Sequence, residues 1–191
     1  MNRDYSGTGD RETRWLAMSL QYNELDRRID EFAQQCGASC PWGCGTCCTA
    51  DYEPEVTTVE AEFAARWIID QRPDLEQRFD GIADREYCIF YDQENPFHCM
   101  IYAARPIICR GFGFSGYRDK HGSFVYRPCR HMTLTPVSSS CSEGPLLPDY
   151  QVQYTLEYRE VQPISEAIFS AWQKLKYYDS LSGGDDQDEA S

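Results

Sequence analysis

The sequence predicts an α+β fold, mainly α, with helices around a small cysteine-rich core of loops and a β-hairpin. Three observations predict it. Apolar residues recur at helical spacing towards both ends of the chain. The middle carries short β-like runs separated by turn compositions. Most of the ten cysteines lie in that middle, four of them within C-P-W-G-C-G-T-C-C, residues 40–48.

The elements follow in order. Trp15, Met18, Tyr22, Leu25, Ile29 and Phe32 alternate spacings of three and four, which predicts a helix over 11–36 with one apolar stripe. Cys36 extends the stripe and is expected to be a buried helix residue rather than a ligand. Gly37 suits the helix C-cap. The cysteine loop occupies 37–50. Thr57 and Glu60 then form a capping-box pattern, and Phe63 and Trp67 share a face of the helix that follows. That helix should stop by Arg72, and Pro73 should open a short one through Phe79 and Ile82. C-I-F-Y (88–91) and F-H-C-M-I-Y (97–102) are expected as strands around the turn D-Q-E-N-P. A-A-R-P-I-I-C-R gives a turn or short helix ending at Gly111, G-F-G-F-S-G a glycine-rich loop, and F-V-Y (124–126) a third strand. After a loop around Cys141, residues 149–178 are expected to be helical with a break near Pro163. Ile164, Ile168, Trp172 and Leu175 mark the later stripe.

Length and composition suit a single domain over 1–178, its cysteine core at about 36–141. The segment 179–191 carries Asp179, Asp185, Asp186, Asp188 and Glu189 among Gly and Ser, the composition of a disordered acidic tail. These five residues account for only part of the net charge of −13. Such a surface repels phosphate backbones, so no nucleic-acid partner is expected. No apolar run of 18 residues exists and no membrane role is expected; the N-terminal segment shows no apolar signal region. Together these predict a cytoplasmic protein with reduced thiols, where clustered cysteines bind metal more readily than they pair.

Zinc and iron both take thiolates in roughly tetrahedral sulfur geometry. Gly43 and Gly45 beside Cys44 let a backbone fold around an ion. Cys47 and Cys48, if extended, would send their sulfurs in opposite directions and feed two sites, or one site plus a buried thiol. Arg105, Arg110, Arg127, Arg130, His98 and His131 lie near the downstream cysteines, either offsetting thiolate charge or forming ordinary ion pairs. His98 should face away from Cys99. His131 is an alternate ligand, and His121 a surface turn residue. Glu53, Glu55 and Glu60 could supply oxygen, although capping accounts for Glu60. Phe112, Phe114 and Tyr117, with Arg105 and Arg110, either line a substrate pocket or pack over the cysteine loop; packing is the simpler expectation. Cys44-Gly-Thr-Cys47 also has the spacing of a thiol–disulfide redox motif.

The order C-P-W-G-C-G-T-C-C, C-I-F-Y, C-M-I-Y-A-A-R-P-I-I-C-R-G-F and Cys129 resembles the YkgJ-like cysteine-cluster family, described as chelating zinc or iron. The resemblance runs over about 40–130. The segment from Ile101 to Arg110 is its most specific part. It implies metal ligation by Cys40, Cys44, Cys47, Cys48, Cys88, Cys99, Cys109 and Cys129, with zinc, iron or an iron–sulfur cluster as the cofactor. Here the first spacing, Cys40-x-x-x-Cys44, is one residue longer than the simple form, and Cys36 and Cys141 have no clear counterpart. The family includes enzymes resembling the flagellin lysine methylase, so the resemblance also implies an alternative, an iron–sulfur-dependent enzyme that modifies a protein or peptide partner. No dinucleotide, Walker or H-E-x-x-H motif accompanies the cysteines.

Overall fold

The computed structural model describes residues 8–42, 44–49, 53–95, 98–134, 141, 143–146 and 161–182. Among them the fold is α+β and mainly α. Helix α1 spans Thr8–Cys36. Met18, Tyr22, Leu25, Ile29, Phe32 and Cys36 along its predicted stripe are buried. Gly37 ends the helix at φ 57°, a left-handed cap that glycine adopts without a side-chain clash.

Helix α2 (Thr58–Gln71) starts at the predicted capping box and stops at Arg72. Pro73 opens a 3-10 segment, Pro73–Asp84. Helix α3 is one short turn, Ile107–Gly111, and helix α4 spans Ile164–Ser182. α4 begins just after Pro163, where the break was expected; residues 149–160 lie outside the described part. It also runs past 178. Asp179, assigned by composition to the tail, is helical and meets Arg66 at 2.9 Å. Residues 183–191 lie outside the described residues.

Among the described residues, six short strands form three two-stranded antiparallel ladders. β1 (Ala38–Ser39) pairs with β5 (Thr133–Leu134), β2 (Glu55–Thr57) with β6 (Val161–Pro163), and β3 (Gly116–Arg118) with β4 (Phe124–Tyr126). The hairpin expected from 88–91 and 97–102 is not a ladder. One bridge joins Tyr91 to Cys99, and Tyr102 belongs to a 3-10 turn, Tyr102–Ala104. His98 is the reason. Its φ of 53° turns the chain back, with its N–H donating to Asn95 O at 2.8 Å and its carbonyl accepting from Asp92 N at 3.0 Å.

The largest core joins α2 to α4. Ala61, Ala64, Ala65 and Ile68 face Ile164, Ala167, Ile168, Ala171 and Leu175; the alanines let the two backbones approach closely. Phe79 extends this core through ring contacts with Phe90, Phe169 and Trp172. A second cluster seats α1 on Val59 and Ile107. A third gathers Phe32, Cys36 and Ala38 against Phe124, Tyr126 and Met132. There Cys36 is fully buried, as expected, and forms a disulfide with Cys141 across 105 residues. That bond departs from the expectation of thiols kept reduced throughout; the other eight cysteines are free.

Candidate metal centre

The eight free cysteines come from five chain segments. The loop 40–48 is built from two successive turns, Cys44 N–H to Pro41 O at 3.2 Å and Cys48 N–H to Gly45 O at 2.9 Å. Thr46 Oγ1 bonds Cys44 O at 3.1 Å and lies 3.2 Å from Cys44 Sγ. This backbone is turned rather than extended. The sulfurs of Cys47 and Cys48 therefore lie 4.0 Å apart instead of pointing in opposite directions. Gly43 lies outside the described residues.

Gly45 fits the role proposed for a small residue here. Its φ is +46°, and a Cβ would sit 2.9 Å from both His98 Cδ2 and Tyr91 Cε2. Gly45→Ala should cost about 1–3 kcal/mol from left-handed strain and displacement of those rings. Chemical denaturation checks this, and an unchanged midpoint would show that the loop does not rest on them.

The other ligand candidates arrive by different routes. Cys88 N–H donates to Cys48 O at 3.2 Å, tying the first loop to the second. Cys99 sits at the bridge to Tyr91. Cys109 is on α3. Cys88, Cys99 and Cys109 all pack against the α2–α4 core. Cys129 sits under the turn closed by Met132 N–H to Cys129 O at 3.0 Å. Among the described residues, no three Cys, His, Asp or Glu side chains already stand grouped to grip one ion.

Proton affinities follow from these surroundings. Burial pushes the Cys88 thiol up to about 12 and raises Cys99 and, strongly, Cys109. Shielding from solvent and then the charges of Cys44 and Cys47 push Cys40 up to about 11. Cys47 runs the other way, lowered to about 6 by the hydrogen bond from Cys48, with help from the Arg105 charge. Cys48 is raised for the same reason, since it keeps the proton that its neighbour releases. In the reduced, metal-free protein Cys47 should thus be the first thiol alkylated by iodoacetamide at pH 7. Peptide mapping by mass spectrometry checks it. Equal labelling of Cys40 and Cys47 would contradict the pairing with Cys48.

Competing donors are engaged elsewhere. Glu53 accepts from Arg85 Nε at 3.2 Å and from Ser165 N–H at 3.2 Å. Glu60 is the predicted cap, and its second oxygen accepts from Ile107 N–H at 2.8 Å, a bond to a distant segment that no local pattern announces. Glu55 is on an exposed strand position. His98 Nδ1 lies 3.0 Å from Asp92 O. His98 does not share a strand with Cys99 as expected, because the described residues there form a single bridge at Cys99. Arg130 Nε donates to His131 Nε2 at 2.9 Å. His121 is exposed in a turn.

The arginines separate into two kinds. Arg105 lies over the Tyr102 ring at 3.4 Å, and its charge reaches Cys47, Cys99 and Cys109. Arg110 is buried and bonds Arg105 O, Ala103 O and Asp26 while covering the Tyr22 ring. It fastens the Cys99–Cys109 segment to α1. Arg127 and Arg130 are exposed. Of the three aromatics in the glycine-rich region, Phe114 packs between two core clusters, whereas Phe112 and Tyr117 are exposed.

The donor chemistry fits a soft cation: free thiols from neighbouring loops, with nearby carboxyl and imidazole groups otherwise employed. Fold and site together define a helical cysteine-cluster protein. Residues 34–142, more than half of the chain, match the CxxCxxCC family, described as a "putative zinc- or iron-chelating domain". The chain belongs to that family. The match is wider than the resemblance seen from the motifs and takes in Cys36 and Cys141. No curated protein and no solved structure matches the chain significantly. No described helix is long and apolar enough to cross a membrane.

Proposed function

We propose that this protein chelates zinc or iron through Cys40, Cys44, Cys47, Cys48, Cys88, Cys99, Cys109 and Cys129. The observation that carries this reading is the set of eight unpaired thiols on five segments, with the Cys47 and Cys48 sulfurs 4.0 Å apart and the Cys88 backbone bonded to that of Cys48. Sulfur supplied by distant loops cross-links segments that have little regular structure of their own. Zinc would act as that cross-link. Iron, as an iron–sulfur cluster, would add electron transfer and would suit the enzymatic branch of the family resemblance.

Anaerobic purification with metal analysis and a visible spectrum tests the proposal. Iron with a broad absorbance that bleaches on reduction identifies a cluster, and a colourless zinc protein identifies the cross-link. Protein that is metal-free as purified, and that takes neither metal when reduced and reconstituted, rejects chelation.

Loading should also be pH-dependent. Burial raises the pKa values of Cys88, Cys99 and Cys109, so these three thiols must release their protons to the solvent as they bind metal. Apparent affinity should rise with pH and fall in acid. Calorimetric titrations in two buffers of different ionisation enthalpy measure the protons released.

A further inference from the structure

We propose that the eight thiols divide into two four-sulfur sites, an outer one of Cys40, Cys44, Cys47 and Cys129 and an inner one of Cys48, Cys88, Cys99 and Cys109. This division rests on the chelation reading and adds to it the membership of each site.

The outer site is assembled by the β1–β5 ladder. Ser39 pairs with Thr133, so Cys40 enters directly beside the turn that holds Cys129. The Pro41–Cys44 turn folds Cys44 back toward Cys40. Gly113 leaves room for Cys129: at φ +83°, a Cβ there would meet Met132 Sδ at 2.7 Å and Cys129 Cβ at 3.1 Å. Ala38 and Met132, which flank this arrangement in the chain, belong to the Phe32 cluster rather than to the α2–α4 core.

The inner site is assembled by different bonds. Cys88 N–H on Cys48 O joins the first loop to the second. The Tyr91–Cys99 bridge and Met100 N–H on Phe90 O at 2.9 Å bring the Cys99 segment alongside that of Cys88. Cys109 joins because α3 lies on the same core, against which Cys88, Cys99 and Cys109 all pack.

Cys47 decides the count. Its sulfur is 4.0 Å from that of Cys48, close to the edge of about 3.8 Å expected in a tetrahedral site with 2.3 Å bonds, so either side is within reach. A tetrahedral ion with Cys48, Cys88, Cys99 and Cys109 has no fifth place, while Cys40, Cys44 and Cys129 lack a fourth sulfur. Cys47 is exposed, as Cys40 is, and stands three residues from Cys44. It completes the outer set, and the adjacent pair Cys47–Cys48 becomes the seam between two neighbouring ions.

The test uses the full chain, with its eight free thiols reduced and metal-free, titrated anaerobically with zinc against a chromophoric chelator. Bound zinc is then counted after desalting. Two zinc ions per chain are expected in the wild type. One should remain in Cys129→Ser, one in Cys47→Ser and one in Cys109→Ser, with far-UV circular dichroism confirming that each variant is folded. Cobalt substitution gives a second measure, the visible bands falling by about half in each variant without any need for crystals. A wild type that binds a single zinc, lost from the Cys129 and Cys109 variants alike, overturns the division and leaves chelation standing. A wild type that binds none overturns both.

Discussion

Stripping the metal from the loaded protein with a chelator is expected to lower its Tm by about 10 °C while leaving most of its helix intact. A ligand present a thousandfold above its Kd stabilises the folded state by about 4 kcal/mol. In a chain of this size each kcal/mol moves Tm by about 2–4 °C. The helices should persist because their cohesion needs no sulfur: α2 and α4 bury Ala61, Ala64, Ile68, Ile164, Ile168 and Leu175 against each other. Among the described residues, the segments holding the thiols are tied by turns, one bridge, the two-residue β1–β5 ladder and the short helix α3. Near-UV circular dichroism should therefore change, through Tyr91 and Tyr102, more than the far-UV signal does. Simultaneous loss of both signals would show that the helical core depends on the metal too.

Glu60→Ala is expected to destabilise the protein by about 3 kcal/mol. Glu60 is 1% exposed, and its carboxyl group serves two helices at once. One oxygen accepts from Thr57 N–H at 2.9 Å and Thr57 Oγ1 at 2.8 Å, closing the capping box of α2. The other accepts from Ile107 N–H at 2.8 Å, at the first turn of α3. Alanine would leave buried donors unpaired, at about 1–3 kcal/mol each before relaxation. Because α3 carries Cys109, metal affinity should weaken as well. Glu60→Gln keeps acceptor capacity and should fall between wild type and Ala. Urea denaturation and zinc titration of both variants check this; a loss confined to stability would mean that α3 keeps its place without Glu60.

Much of this architecture was legible in the chain because its signals are local. The stripe from Trp15 to Phe32, the Thr57/Glu60 box, Pro73 and the later stripe from Ile164 each act within one or two turns of helix. What escaped depends on partners far away. Residues 88–91 and 97–102 have β-like composition, but the reversal at His98 limits them to a bridge. The second role of Glu60 depends on Ile107, 47 residues on. The cysteine set was legible as a set, from its order and spacing. Its geometry was not: Cys47 and Cys48 were expected to diverge, and two turns bring their sulfurs to 4.0 Å. Cys36 was recognised as buried, yet nothing near it in sequence names Cys141 as its mate.

The bond between Cys36 and Cys141 makes a covalent ring of the chain between them, and all eight remaining cysteines sit on that ring. A protease that cuts once anywhere within it produces no separate fragments until a reductant is added. The ring can thus be opened at an exposed turn while the parts on either side of the cut stay joined through the Cys36–Cys141 bond.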